Sequence, residues 1–476
     1  MSIAPCLVWF RHDLRVSDNP ALTAAAESGR PVVALYVLDE ESDGIRPLGG
    51  ASRWWLHHSL ERLAAPLNAL GCPLVLRTGP ANEVVRAIVE EIGASAVYWN
   101  RCYEPEMVAR DKTIKAALQE DGVTVESFNA RLLYEPWQIE TKQGKPYRVF
   151  TPFYKMVLEQ GEPPKPQKAP EKLTGLKSVP RGDALEDWTL LPTKPDWAGG
   201  LREAWTPGED GAHDLLDDFL DGPVSAYKAD RDIPGKPATS RLSPHLHFGE
   251  ISPRQIWAKT SVLEPNSGTE TFLKEIVWRE FGYHLLYYNP AMPNEPLQGK
   301  FKSFPWREND DHLKAWQQGN TGYPIVDAGM RELWHTGTMH NRVRMIVASF
   351  LVKHLLIHWR SGEAWFWDTL VDADLASNTA NWQWVAGCGA DAAPYFRIFN
   401  PMAQGEKFDA NGAYVRRWVP ELADLPDDVL HQPWEADDST LECAGVTLGE
   451  TYPKPIVDHK RARERALDAL DTIKGK

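Results

Sequence analysis

The sequence predicts an α/β parallel-sheet N-terminal domain followed by a larger all-α C-terminal domain, and three observations predict it. Apolar runs of strand length occur at CLVWF (6–10), PVVALYVLD (31–39), PLVLRT (73–78), AVYWN (96–100) and VTVESF (123–128). Helical spacing lies between them, as at Ser52 to Leu70 and Ala81 to Ile92. From about residue 206 the helical period runs almost to the end, with no strand alternation of comparable strength. Strands covered by helices on both faces need no polar alternation, so continuous apolar runs alternating with helices indicate a parallel sheet.

Taken along the chain, Asp18 followed by Pro20 marks the start of the first helix. The N-terminal segment has no G-x-G-x-x-G and no G-x-x-x-x-G-K-[ST], which argues against a dinucleotide held in the usual way at the first turn and leaves the strand ends open to a second ligand. Residues 136–205 include GEPPKPQKAPEKL (161–173) and LLPTKPDWAGG (190–200) and read as a long irregular connector between two domains. The expected division is therefore 1–135, 136–205 and 206–476. In the last segment TGYPIVDAGMRELWHTG (321–337) has a helix with a glycine stop. RVRMIVASFLVKHLLIHW (342–359) reads as one long helix, apolar over most of its circumference and hence buried.

Composition narrows the class. A net charge of −14 over 476 residues argues against a protein that coats nucleic acid by bulk positive charge, while leaving room for a local basic patch. The five cysteines (Cys6, Cys72, Cys102, Cys388 and Cys443) are scattered without a C-x-x-C, as expected of reduced thiols. The N-terminus lacks a basic start with a long apolar run, and no stretch approaches the roughly 20 apolar residues of a membrane span. A cytoplasmic monomer is expected. The 20 tryptophans are unusually many. Trp gives buried area, stacks on bases and relays electrons, so the placement of each matters more than the count.

Five stretches carry candidate chemistry. In GKPATSRLSPHLHFGEISP (235–253), Thr239, Ser240 and Ser243 beside Arg241 offer donors for a phosphate, although spacing alone favours a turn and N-cap. In KEIVWREFGYHL (274–285), a helix puts Glu275, Trp278 and Arg279 on one face, either as a cavity wall or as an ion pair beside a core Trp. In MHNRVRM (339–345), Asn341 faces with Arg344 and Met345, as a ligand contact or a capped helix end. In VDADLASNTANWQW (371–384), Asp372, Asp374 and Asn378 lack the EF-hand Gly and Glu, so no metal is expected, and Trp382 and Trp384 point to nearly opposite sides of a helix. DAAPYFRIFNPMAQGEKFD (391–409) interleaves aromatics with Arg397 and Lys407, either to meet a DNA strand or as a structural loop.

These stretches, in this order, together with WFRHDLRVSDNPAL (9–22), resemble the photolyase and cryptochrome family over nearly the whole chain. The resemblance implies that the helical domain is FAD-binding, lined by Tyr227, Thr239, Ser240, Arg241, Leu242, Ser243, Arg279, Asn341, Arg344, Asp372, Asp374 and Asn378. In that family the Arg344–Asp372 pair neighbours the isoalloxazine and Asn378 sits by flavin N5, where a carboxamide suits fully reduced flavin. Plant cryptochromes carry an acid there. Glu275, Trp278, Asn341, Met345 and Trp384 match the contacts to a cyclobutane pyrimidine dimer, and Arg231, Arg342 and Arg397 match residues near the backbone of UV-damaged DNA. Base flipping, of which photolyases are a standing example, comes with the resemblance. Trp382, Trp359 and Trp306 match an electron relay.

The activity so implied is light-driven cyclobutane-dimer repair. An electron passes from excited reduced flavin to the dimer and returns, without metal, while Glu275 stabilises the dimer radical anion. The alternatives are a cryptochrome-like blue-light receptor, a (6-4) photolyase and an ordinary flavin oxidoreductase. Asn378 and the absence of a long low-complexity tail weigh against the first, Asn341 and Met345 (where (6-4) enzymes carry His) against the second, and the lack of a dinucleotide fingerprint against the third. The bacterial folate motif is not reproduced: Glu106 and Met107 stand where an Asn-Glu pair is usual, and YNPAMPNEPL (288–297) lacks the Cys-Lys. The pattern is closer to the class III branch. Methenyltetrahydrofolate is the expected antenna, with a deazaflavin or no antenna as alternatives.

Overall fold

The computed structural model describes residues 3–391 and 396–474. The stretch 392–395, at the start of the DAAPYF segment, lies outside them. The chain divides into two compact units. Unit 1 comprises Met1–Ala198, Trp205–Ser225 and Ser240–Pro290; unit 2 comprises Gly199–Ala204, Ala226–Thr239 and Ala291–Lys476. Among the described residues no helix is long and apolar enough to cross a membrane.

Unit 1 is built on five parallel strands, β1 (Cys6–Phe10), β2 (Val32–Leu38), β3 (Leu74–Thr78), β4 (Ala96–Asn100) and β5 (Thr124–Phe128), in the order β3-β2-β1-β4-β5. The fully buried runs of β1, β2 and β4 are the central ones, as their unbroken apolar sequences require. Between and after the strands come α1 (Pro20–Glu27), α2 (Gly50–Ala69), α3 (Ala81–Ile92), α4 (Pro105–Glu120) and α5 (Phe150–Glu159). Unit 1 continues with α7 (Glu209–Leu220), α9 (Ser243–Phe248), α10 (Pro253–Ser261) and α11 (Ser267–Tyr288). The short α6 (Gly199–Ala204) belongs to unit 2, and α8 (Pro223–Asp230) crosses the division.

Three expectations need correcting. The cap of α1 is Asn19, whose side chain accepts from Leu22 N; Asp18 instead takes a left-handed φ of 47° and is buried, accepting from Ser252 Oγ (2.5 Å) and Arg254 Nε (3.1 Å). The stretch 136–205 is not wholly irregular, because α5 buries Phe150, Phe153 and Val157 at helical spacing. Finally, residues 342–359 are not one helix. After α14 (Asn341–Ser349) the backbone widens into a π-turn over Phe350–His354, with Leu355 N bonding Phe350 O, and then breaks at Leu356, whose φ is +55°. Side-chain tethers hold the wide turn: Lys353 Nζ donates to Ala386 O (3.0 Å), and His354 Nε2 shares a hydrogen bond with His459 Nδ1 (2.8 Å). Apolar periodicity reads burial but not these bonds.

The rest of unit 2 is helical, with α12 (Asp310–Gln317), α13 (Pro324–Thr336), α15 (Trp359–Thr369) and α16 (Leu375–Ala386) around one apolar core. As expected, α13 ends at Gly337 in the left-handed region. The N-terminus of α13 is anchored by Asp327, which is fully buried. Its carboxylate accepts from Thr321 N (2.7 Å), Thr321 Oγ1 (2.6 Å), Gly322 N (3.0 Å) and Tyr452 Oη (2.7 Å). Asp327→Ala strands these donors and is expected to destabilise unit 2 by about 3 kcal/mol. A lower urea midpoint, read by circular dichroism, checks it.

Candidate active site

Each unit carries part of the candidate set. In unit 1, α11 begins with a reciprocal cap: Asn266 Oδ1 accepts from Gly268 N and Thr269 N, and Thr269 Oγ1 accepts from Asn266 N. The helix puts Glu275, Trp278 and Arg279 on one face by three- and four-residue spacing. Trp278 is 37% exposed, yet one face of its indole is covered by Phe150, stacked at 3.5 Å and 6°. Arg279 is held by backbone, donating to Arg131 O (2.7 Å) and Leu246 O (3.4 Å) and lying over the Tyr283 ring. Next to it Glu280 is buried. Burial pushes its carboxyl up to about 8, despite Arg279 and the N–H groups of Leu133 and Tyr134 that it accepts from. Sequence reasoning missed Phe150 and Glu280; the only signal for Phe150 was the apolar spacing of α5.

The run 239–243 is cut by the unit division, with Thr239 in unit 2 and Ser240 to Ser243 in unit 1. Ser243 opens α9 and Leu242 is buried, so Leu242 is a core side chain. Arg241 has a left-handed φ of 55° and sets its guanidinium 4.2 Å over the Trp205 ring.

In unit 2, α14 starts behind His340, whose Nδ1 accepts from Arg342 N (3.2 Å). Burial drives this imidazole down to about 4, so it is neutral at physiological pH. Asn341, Arg342, Arg344 and Met345 follow in the first two turns. Arg344 Nη2 meets both oxygens of Asp372 (3.2 and 3.0 Å), and its Nε donates to Met339 O (2.7 Å). Arg342 pairs with Asp232 (2.8 Å) and lies over Phe408, while Arg231 lies 5.3 Å over Tyr227. Asp374 caps α16, accepting from Ser377 N (2.7 Å). One turn on, Asn378 gives its amide N–H groups to Glu363 O (3.1 Å) and Glu363 Oε1 (2.9 Å). Both hydrogens are thus spent on α15, and among the described residues Asn378 Oδ1 accepts nothing.

Trp382 is buried one turn beyond Asn378, edge-on to Phe366 (5.0 Å) and Trp316 (6.2 Å). Its neighbour on α15 is Gly362: a Cβ there would lie 2.1 Å from Trp382 Cη2. Trp359 opens α15 and is 1% exposed, whereas Trp306 is partly exposed; His358 touches both rings, at 5.5 and 5.0 Å. Trp384 points away from Trp382, as the helical period requires, and donates to Asp391 O (3.2 Å). It lines a cavity of about 650 Å³ with Lys300, Lys353, Arg397, Arg463 and Lys474, with no acid among the described lining residues. Burial holds the Lys353 ammonium well below the usual lysine range. Glu363, Gly362, His340 and Lys353 carried no sequence signal, since each matters only through a neighbour distant in the chain.

Among the candidate residues, unit 1 offers hydroxyls and guanidinium groups, and unit 2 offers a guanidinium–carboxylate pair, a capping carboxylate and one oriented amide oxygen. The first set fits a pyrophosphate and the second a hydrogen-bonding ring. In particular, the undonated Asn378 Oδ1 fits a ring N–H.

A parallel α/β unit and a helical unit bearing these polar groups fit a nucleotide-cofactor protein, and the comparisons with known proteins make it a flavoprotein. The DNA photolyase family model matches residues 6–171, and the model for the FAD binding domain of DNA photolyase matches residues 272–472. The deoxyribodipyrimidine photo-lyase of Agrobacterium fabrum is 56% identical over 477 residues, covering 100% of this chain and 99% of the relative. Cryptochrome-1 of Arabidopsis thaliana is 42% identical, covering 98% of this chain and 70% of the relative. Among solved structures, a bacterial class III photolyase from Agrobacterium tumefaciens superposes with a TM-score of 0.97 at 55% identity, covering 100% and 99% of the two chains. An archaeal photolyase from Sulfolobus tokodaii with two FAD molecules gives 0.82 at 30% identity, covering 98% and 100%. The chain belongs to the DNA photolyase family, and FAD is its cofactor.

Because the Trp382 indole is rigid, Gly362→Ala is expected to force the ring away from α15 and to cost about 1–3 kcal/mol. Chemical denaturation followed by Trp fluorescence measures that loss, and an unchanged midpoint would contradict the close packing.

Proposed function

We propose that this protein is a light-driven deoxyribodipyrimidine photo-lyase that splits cyclobutane pyrimidine dimers in DNA. The observation that carries the reading is Asn378, a carboxamide fixed by Glu363 with its oxygen left to accept, in a chain 56% identical over its full length to an enzyme of that name. Bound and reduced, FAD supplies a light-excited electron donor. The splitting leaves no net redox change, so the chain's own task is to bind, orient and exclude water.

In unit 2, the Arg344–Asp372 pair presents a fixed charge and Asn378 Oδ1 a fixed acceptor to the flavin ring, with Asp374, Asn341, Tyr227 and Thr239 around the cofactor. In unit 1, Ser240, Ser243 and Arg241 serve the pyrophosphate through donors, and Leu242 and Arg279 hold the chain that carries them. Glu275 accepts or donates a hydrogen bond at the dimer, where charge develops. Trp278, backed by Phe150, and Trp384 with Met345 offer flat apolar surfaces to the dimer. Arg231, Arg342 and Arg397 meet DNA phosphates; for Arg342 this means exchanging Asp232 for a phosphate oxygen. Trp382, Trp359 and Trp306 give a buried-to-exposed series of rings for reducing the cofactor.

The three segments 1–135, 136–205 and 206–476 then serve as antenna domain, connector and flavin domain. The antenna is taken as methenyltetrahydrofolate, a second chromophore being typical of the family. The working form is taken as a cytoplasmic monomer, which the five unpaired thiols suit.

The test is to reduce the flavin, add an oligonucleotide with a defined cyclobutane thymine dimer, and compare blue light with darkness. Light-dependent return of intact thymines is expected; FAD-loaded protein that leaves the dimer untouched would overturn the reading. Glu275→Ala is expected to lower the repair yield at least about tenfold with FAD retained, read by repair under saturating dimer. Trp306→Phe and Trp359→Phe are expected to block photoreduction of oxidised flavin yet spare repair by chemically reduced enzyme. Absorbance bleaching under blue light follows the first effect, and equal bleaching in all variants would dismiss the relay.

A further inference from the structure

On α2, at a place that the repair chemistry does not use, three metal-ligating side chains face one another. His57 and Glu61 stand four residues apart and His58 and Glu61 three apart, so both imidazoles share the carboxylate. His57 Nε2 lies 3.7 Å from Glu61 Oε1, and His58 Nδ1 lies 2.9 Å from Glu61 Oε2. One ligand atom from each of the three residues falls within 4.8 Å of the other two.

The second observation concerns His57. It is 7% exposed, and neither ring nitrogen makes a hydrogen bond among the described residues: Nδ1 is buried without a partner, and 3.7 Å is too long for Nε2. The nitrogen that matters for the site is Nε2: it is directed at the Glu61 carboxylate, beyond hydrogen-bond reach, with its lone pair left to take a ligand. What Nε2 faces is a carboxylate, and beyond that carboxylate, which is 52% exposed, lies solvent. A water molecule would serve one nitrogen. A cation would serve both imidazoles and the carboxylate together.

We propose that His57, His58 and Glu61 form a binding site for a borderline divalent transition-metal ion of the Zn²⁺ type. Two imidazoles and one carboxylate suit Zn²⁺ and its neighbours, whereas Mg²⁺ and Ca²⁺ prefer oxygen ligands. Bonds of about 2.0–2.2 Å in a tetrahedral site put ligand atoms roughly 3.3 Å apart. The imidazole nitrogens already lie 3.7 and 2.9 Å from the two oxygens of Glu61, and with one ligand atom per residue all three fall within 4.8 Å, so no pair need close by more than about 1.5 Å. The His58 ring is braced edge-on against Trp54 at 4.8 Å, and Trp54 is 1% exposed, so the ligand set stands on a fixed base. With Glu61 at the surface, the ion enters from solvent and water completes its shell. The ion clamps successive turns of α2 and stabilises unit 1 by mass action.

The test uses the full chain with flavin bound, stripped of metals by a chelator that is then removed. Zn²⁺ is titrated calorimetrically, with Mg²⁺ as control, into the parent and into His57→Gln, His58→Gln and Glu61→Gln. A single saturable Zn²⁺ equivalent is expected, weakened at least tenfold in each variant, with no Mg²⁺ uptake. Zinc-edge X-ray absorption of the loaded parent is expected to show two imidazoles. Glu61→Gln alters an exposed side chain and so keeps the test independent of folding. Absence of a saturable isotherm, or one unchanged in the three variants, would overturn the site.

Discussion

The close seating of α16 on α15 is the constraint from which most of unit 2 follows. Gly362 lets the Trp382 indole lie against the α15 backbone where any side chain would collide, and one turn away Asn378 ties its amide to Glu363 on the same helix. Between them, a steric and a polar contact fix both the rotation and the height of α16. With α16 placed, Asp374 caps its start, Asp372 stands just before it to meet Arg344, and Trp384 is turned to the opposite side from Trp382. The acceptor at Asn378, the ion pair and two of the tryptophans are thus consequences of one helix pair.

The break between α14 and α15 serves the same arrangement. A continuous helix over 342–359 would carry Trp359 onward along the α14 axis. The π-turn at Phe350–His354 and the left-handed Leu356 instead let a new helix begin at Trp359 under the His358 cap. The tethers that stabilise the wide turn, Lys353 to Ala386 and His354 to His459, come from segments 33 and 105 residues away. Unit 1 shows the same economy. Asp18 occupies a strained left-handed conformation because Ser252, Arg254 and Gln167 all converge on it.

Kinship alone does not separate repair from photoreception, since a plant cryptochrome aligns at 42% identity over nearly all of this chain. The proposed reading turns on particular atoms. Asn378 presents a neutral amide oxygen whose orientation is enforced because both N–H groups are used, so an acid at this position would lose those two bonds and bring a charge beside buried Glu363. In the proposed site Asn341 and Met345, one helical turn apart at the start of α14, bring an amide and an apolar side chain and no imidazole.

The strands and several helices were legible in the sequence because period and burial are local properties. β1, β4 and α3 begin and end where their apolar patterns do. Glu275, Trp278 and Arg279 were placed on one face by spacing alone, and motif resemblance named the family. The sequence by itself thus determined an α/β domain before a helical one, the family, the cofactor and the candidate residues. Tertiary structure decided what those residues are free to do. It showed Arg279 bound to carbonyls rather than to Glu275, Trp278 already stacked on Phe150, Asn378 oriented by Glu363, and a long apolar stretch split in two. Each of these depends on a partner far away in the chain, and pairwise geometry of that kind leaves no periodic trace in either sequence segment.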